Sequence, residues 1–259
     1  MDKSHSSEGY FSPALPKIFA HRGFALDSLA TENTIQAFRA ALELGVTHLE
    51  TDIQVTKDGV PVLFHDDDLH RVAGLPRKIN ELTHAELTEL QLIGGGKIPS
   101  LSEALVEFPS ARFNLDLKVW GAIEPSVEVI REFSAESRVL VSSFSDRRRS
   151  KALRLFDRPV ASSAGSSRVL GLWFAAKLRF GWLIRTLAEP VQALQIPIGK
   201  GPIRFDSPAF MRMMKAAGLE LHYWTVNDAD EMRRLIALGA DGIVTDRTDI
   251  AVKTLRMPS

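Results

Sequence analysis

KIFAHRGFALDSLATENTIQAFRAALELGVTHLETDIQV, residues 17–55, holds the pattern on which the fold turns. KIFAH (17–21) is a short apolar run with strand character. NTIQAFRAALELG (33–45) follows, with Ile35, Phe38, Ala41 and Leu42 on one helical face and Gly45 at its end. THLETDIQV (47–55) returns to strand character. Strand, helix and strand in succession make a βαβ unit, whose two strands run parallel.

The alternation continues to the end of the chain. After the turn KDG (57–59), PVLFH adds a short extra strand. SLSEALVEF (100–108) reads as a helix and ARFNLDLKV as the next strand. Helix 125–133 precedes RVLVSSF, and helix 146–156 precedes PVASSA. A Trp- and Arg-rich helix then precedes ALQIPI. Helix 207–217 precedes ELHYWTV, helix 228–238 precedes DGIVTD, and 248–256 closes the chain. Eight principal strands, each followed by helical pattern, in 259 residues fit a closed (β/α)₈ TIM barrel. A doubly wound open sheet is the competing arrangement. Residues 1–16 read as a flexible N-terminal tail and 17–259 as one domain. SSAGSSR (162–168) is too short to divide that domain, and no repeat exists beyond the βα alternation.

Composition narrows the function classes. The 32 basic and 32 acidic residues balance, so no overall field favours nucleic acid or an anionic membrane. Cysteine is absent, which excludes disulfides, thiolate catalysis and thiolate metal sites. The first sixteen residues lack the apolar core of a secretory signal, and no apolar run approaches the roughly eighteen residues of a spanning helix. The expected location is the cytosol.

A barrel places its active site at the C-terminal ends of the strands, so polar residues that end apolar strands are the candidates. The first strand ends in His21 and Arg22. Glu50 and Asp52 are two apart on the second, so both point to one face. At roughly 7 Å apart they suit the gripping of one ion. The extra strand ends in His65 and Asp66, and the third offers Asn114, Asp116 and Lys118 on one face. Three carboxylates, Glu50, Asp52 and Asp116, are balanced by Lys118 and one divalent cation. Oxygen ligands select Mg²⁺ or Ca²⁺ rather than zinc. Pairing of these carboxylates with rim arginines is the structural alternative. Among seven histidines, His5, His48, His70 and His84 read as surface or satisfied core residues. His21 and His65 each follow an apolar strand and precede a charged residue. Two imidazoles facing one phosphorus can serve as general base and general acid. Arg22 supplies a planar donor fork for phosphate oxygens.

HRG, ENT, LETDIQVTKDG, PVLFHDDDL, NLDLK and YWTVN occur in that order across roughly residues 17–250. Together they resemble the motifs of glycerophosphodiester phosphodiesterases. The resemblance implies a TIM-type catalytic domain that hydrolyses glycerophosphodiesters to sn-glycerol 3-phosphate and an alcohol. It implies His21 and His65 as the acid–base pair, Glu50 and Asp52 as metal ligands, and Asp116 as the third ligand. Lys118 matches the lysine placed near the phosphate.

Three features depart from the family pattern. Asp116 stands where Glu is usual, one methylene shorter. The loop FALDSLAT (24–31) is about two residues longer and lacks the usual proline, and a large insertion seen in some members is absent. For ENT, Thr31, Asn33 and Thr34 are all plausible helix N-caps, while Glu32 and Asn33 are candidates for orienting the site. Trp224 reads as a core aromatic or as a wall for the glycerol carbons or departing alcohol. GLWFAAKLRFGWLIRTL (171–187) carries two tryptophans, two phenylalanines and the cations Lys177, Arg179 and Arg185, with Arg168 just before. It reads as an ordinary barrel helix, a lid, or a peripheral membrane contact. The rival functions are a lysophospholipase D or sphingomyelinase D-like phosphodiesterase, and a non-catalytic barrel that binds phosphorylated headgroups.

Overall fold

Among residues 8–12, 16–25 and 31–256, which the computed structural model describes, eleven strands form. In chain order they are β1 (Lys17–His21), β2 (His48–Val55), β3 (Pro61–Leu63), β4 (Arg112–Leu117), β5 (Val139–Ser142), β6 (Ala161–Ser162), β7 (Ala193–Ile196), β8 (Gly199–Lys200), β9 (Ile203–Arg204), β10 (Glu220–Tyr223) and β11 (Gly242–Thr245). Eight of them run side by side in the order β6-β5-β4-β2-β1-β11-β10-β7, every pairing parallel. The two ends of that order meet. Ser163 bridges Ala193, Ala164 N–H donates to the Ala193 carbonyl (3.0 Å), and Gln192 N–H donates to that of Ser162 (3.0 Å). The sheet closes, and the expected TIM barrel is the fold.

The helices follow the apolar spacing. Helix Ile35–Glu43 starts at Thr34, whose hydroxyl accepts from Ala37 N–H (3.2 Å), and it buries Ala37, Phe38 and Ala41 against the barrel. Of the three possible caps in ENT, Thr34 is therefore the one used. The stretch 171–187 differs from the single helix expected. It belongs to two helices, Ser166–Lys177 and Gly181–Ala188. After Lys177 the backbone N–H groups of Arg179 and Phe180 turn back to Ala176 and Ala175, with Arg179 at φ +57°, and the chain reverses. Gly171 permits the close packing of this pair, since a Cβ there would lie 3.2 Å from Leu187 Cδ1.

Within the barrel, Phe19, Leu140, Ala161, Ala193 and Val244 pack around Tyr10. Tyr10 comes from a helical turn, Glu8–Phe11, inside the segment expected as a tail. The Tyr10 carbonyl accepts from His48 Nε2 (2.9 Å), and the Gly9 carbonyl from Arg112 Nε (2.6 Å). These partners begin β2 and β4, so the turn covers the N-terminal floor of the barrel and keeps Phe19 from water. Residues 1–7 and 13–15 of that segment, with His5, lie outside the described residues.

Two features off the barrel matter for the site. β3 pairs antiparallel with the outer end of β2, and the chain beyond it builds a small core of its own around Leu69, Val72, Ile79 and Leu87. β8 and β9 form an antiparallel hairpin that the sequence pattern did not signal. No helix among the described residues is long and apolar enough to cross a membrane.

Candidate active site

Strand register places the polar residues. His21 lies beside Glu50, and Glu50 beside Asn114. Two residues further along, Asp52 lies beside Asp116, and Asp116 beside Ser142. Period-two alternation points all of these the same way, into a cavity of about 660 Å³ at the C-terminal mouth of the barrel. Every residue expected to act in the site lines this cavity except Glu32 and Asn33, which stand behind it.

Asn33 and Glu32 shape the turn that presents Arg22. Arg22 leaves β1 at φ +57°, with its N–H on the Glu50 carbonyl (2.9 Å). Gly23 follows at φ +87°, where a Cβ would meet the Ala37 backbone at 2.8 Å. Asn33 N–H donates to the Arg22 carbonyl (2.8 Å), and Asn33 Oδ1 accepts from the Thr51 hydroxyl (2.7 Å). Asn33 therefore locks the HRG turn. Glu32 Oε1 accepts from Arg22 (2.9 Å) and from Arg71 (2.6 Å).

Each candidate histidine has a carboxylate on Nδ1. His21 Nδ1 is 2.6 Å from Asp246 Oδ1, and His65 Nδ1 is 2.6 Å from Asp66 Oδ1. Both pairs are braced from behind. Asp246 accepts from Asn227 Nδ2 (2.8 Å), and Asp66 from Arg71 Nε (2.7 Å). Arg71 then joins Glu32 and Arg22, so one chain of ion pairs connects His65 to the HRG turn. Burial opposes charge on His21, but the Asp246 hydrogen bond and the Glu50 charge outweigh it and hold its pKa above the ordinary value. Asp246 follows the apolar run DGIVT, so the strand-end rule that found His21 would also have found it. Arg71 sits in a short helix off the barrel (His70–Ala73) and carries no comparable signal. His48 behaves as expected of a core histidine. Burial pushes its pKa down to about 3, and it bonds Tyr10 and Thr47 far from the mouth.

The carboxylates are crowded. Burial, with the Asp52 charge beside it, pushes Glu50 up to about 8. Burial also raises Asp116, against the pull of Lys118. Lys118 Nζ reaches Asp52 (2.9 Å) and Asp116 (3.2 Å), and Arg22 Nε lies 3.2 Å from Asp52 Oδ2. Pairing with basic side chains thus accounts for Asp52. As the side chains stand, no three His, Asp or Glu groups among the described residues converge to hold a metal. The donor set nevertheless fits a hard cation: it is all oxygen, Asp52 Oδ2 is buried and accepts no hydrogen bond, its close contact being Arg22 Nε, and burial with the Asp52 charge outweighs the His21 and Arg22 charges beside Glu50.

The opposite wall is apolar. Trp224 meets Phe144 edge-on at 5.9 Å, and Lys118 Nζ lies 5.6 Å over the Phe144 ring. Val169, Leu170, Ile203 and Phe205, from helix Ser166–Lys177 and around the β8–β9 hairpin, complete that side.

The sequence matches the glycerophosphoryl diester phosphodiesterase family across residues 21–250. The chain belongs to this family. A probable glycerophosphodiester phosphodiesterase 2 of Mycobacterium tuberculosis is 39% identical over 235 residues, covering 89% of this chain and 87% of the relative. A human lysophospholipase D is 28% identical, covering 90% of this chain and 83% of its own. Among solved structures, an Oleispira antarctica phosphodiesterase in complex with the product sn-glycerol-3-phosphate superimposes with a TM-score of 0.76 at 26% identity, covering 93% and 96% of the two chains. The glycerophosphoryl diester phosphodiesterase fold is thus shared over nearly the whole barrel.

Proposed function

We propose that the protein hydrolyses glycerophosphodiesters to sn-glycerol 3-phosphate and an alcohol, with His21 and His65 as the proton carriers. It is a phosphoric diester hydrolase of the family to which it belongs. One observation carries the mechanism: two imidazoles, each with a carboxylate on Nδ1, line the same cavity as Arg22, Lys118 and three buried carboxylates. The product held by the Oleispira antarctica phosphodiesterase is the one this reaction would release.

The carboxylates on Nδ1 fix each ring so that Nε2 serves the substrate. Arg22 and Lys118 place positive charge against the phosphate oxygens, where negative charge develops. One histidine takes a proton from the nucleophile and the other gives one to the leaving oxygen. Asp246 favours protonated His21, which suits it to the donor role. Trp224 and Phe144 wall the glycerol carbons or the departing alcohol. When bound at Glu50, Asp52 and Asp116, Mg²⁺ or Ca²⁺ supplies charge neutralisation at the phosphate. The all-oxygen donor set and the buried Asp52 Oδ2, which accepts no hydrogen bond, support that ligand set.

The apolar wall favours a second reading, a lysophospholipase D, which one relative is named. The deciding experiment measures glycerol 3-phosphate or lysophosphatidate release from glycerophosphocholine, glycerophosphoethanolamine and lysophosphatidylcholine, with and without chelator. We expect glycerophosphodiester turnover that chelation abolishes and Mg²⁺ or Ca²⁺ restores. His21→Ala and His65→Ala should each lower kcat by about 10²-fold or more. Full turnover after exhaustive chelation removes the metal from the mechanism, and a variant with near-normal turnover removes that histidine.

A further inference from the structure

We propose that the tip of the helix pair Ser166–Lys177 and Gly181–Ala188 docks on an anionic membrane surface beside the mouth of the catalytic cavity. Nine large apolar side chains are exposed among the described residues, and five of them lie on this one pair and its turn: Leu170, Phe174, Leu178, Phe180 and Trp182. Trp182 is 63% exposed and Leu178 59%, far beyond what a helix packed on a barrel requires. A sixth, Phe144, stands at the cavity rim.

The remaining apolar residues of the pair already have partners. Leu172, Ala175, Ala176, Ile184 and Ala188 face the core. Trp173 Nε1 donates to the Arg204 carbonyl (3.1 Å) and ties the pair to the β8–β9 hairpin. The exposed set is therefore an outer face, held rigidly on the barrel.

Charge selects the occupant. Residues 158–188 contain no Asp or Glu, Lys177 and Arg179 are exposed at the tip, and Arg185 is exposed one turn further along the second helix, near Glu189 just past its end. A tip bearing Trp, Phe and Leu with interleaved cations suits the headgroup region of an anionic bilayer. A second copy of the chain suits it poorly, because the same tip on a partner copy presents cations and no carboxylate to pair with them. The first turns of helix Ser166–Lys177 line the cavity through Ser166, Val169 and Leu170, and Leu170 is also part of the exposed face. A twelve-residue helix spans about 18 Å, so a docked tip holds the cavity mouth within that distance of the lipid headgroups. The zero net charge of the whole chain does not oppose this, since the effect is local.

The test is co-sedimentation of the full chain with vesicles of phosphatidylcholine, with or without phosphatidylglycerol, at low and high salt. The wild type should bind the phosphatidylglycerol vesicles, ignore the neutral ones, and be released by salt. Phe180→Ser/Trp182→Ser should weaken binding by about tenfold or more, and Lys177→Glu/Arg179→Glu/Arg185→Glu should abolish it. Both variants change only exposed side chains, and an unchanged melting temperature confirms that each is folded. Absence of wild-type binding at low salt overturns the proposal, as does binding that both variants retain. Sedimentation velocity adds a third arm: a wild-type dimer dissolved by Phe180→Ser/Trp182→Ser would make this face a self-interface, and overturns it too.

Discussion

Asp246 decides how His21 holds its proton. Replacing it with Asn removes the charge that raises the His21 pKa and leaves only a neutral acceptor, so that pKa should fall. The limb of the kcat/KM profile governed by His21 should then move to lower pH, whether His21 acts as acid or as base. Stability follows the same sign. The raised His21 pKa stabilises the fold fully below about 6.5, and that stability is lost as pH rises through the raised value. Asp246, whose pKa is lowered against its burial by His21 and Asn227, contributes above about 3.8 and loses its contribution in stronger acid. Asp246→Asn should therefore cost more stability near pH 5.5 than near pH 9, measured by denaturant titration. A limb that stays in place would dissociate His21 from the rate. Asp116 makes a second residue-scale test. Glu at that position reaches about 1.5 Å further, into the space where Lys118 lies 3.2 Å from the present carboxylate. Calorimetric titration of Asp116→Glu should show weaker Mg²⁺ and Ca²⁺ binding, and unchanged affinity for both would remove Asp116 from the ligand set.

At the scale of elements, the site depends on the turn between β1 and helix Ile35–Glu43. Gly23 adopts φ +87° with its Cα against the Ala37 backbone, so a methyl group meets both conformational strain and a 2.8 Å clash. Gly23→Ala should destabilise the protein by about 1–3 kcal/mol and lower kcat, because any relief displaces Arg22. Urea denaturation with parallel turnover measurements checks this, and unchanged values for both would show that the turn tolerates Ala. The sequence pattern located these elements because their apolar residues repeat with the period of the local conformation. It misjudged 171–187, where both helices are apolar and the break at Leu178–Phe180 contains neither a proline nor a loop-like run of polar residues. The FALDSLAT loop, expected to be long, has residues 26–30 outside the described residues.

For the whole molecule, the barrel floor is a test of how the N-terminal segment contributes. Tyr10 is fully buried among Phe19, Phe11 and His48, with ring centroids 5.1 and 5.3 Å from Phe11 and His48. Tyr10→Ala should cost about 3–5 kcal/mol through the cavity it leaves. Its hydroxyl is buried without a hydrogen-bond partner, so Tyr10→Phe should be neutral or stabilising. Thermal and denaturant unfolding of both variants distinguishes a packed floor from a dispensable one, and an Ala variant as stable as the wild type would refute the floor.

The sequence by itself determined the βα alternation, the eight-strand count, and the polar residues that end the strands. Those are local properties: backbone periodicity dictates which side chains are buried, and a histidine or carboxylate after an apolar run is visible in one dimension. Tertiary structure decided what each of those residues faces. Closure between Ser163 and Ala193 makes β6 and β7 neighbours. Pairing of β1 with β11 brings Asp246 to His21 across 225 positions of chain. β3, folded back on β2, carries His65 and Asp66 to a helix whose Arg71 reaches Glu32. The Lys118 bridge between Asp52 and Asp116, and the raised Glu50 pKa, likewise exist only because register sets buried carboxylates side by side. The physical reason is that burial and pattern are properties of a segment, whereas hydrogen-bond partners and electrostatic fields are properties of which segments the closed sheet makes adjacent.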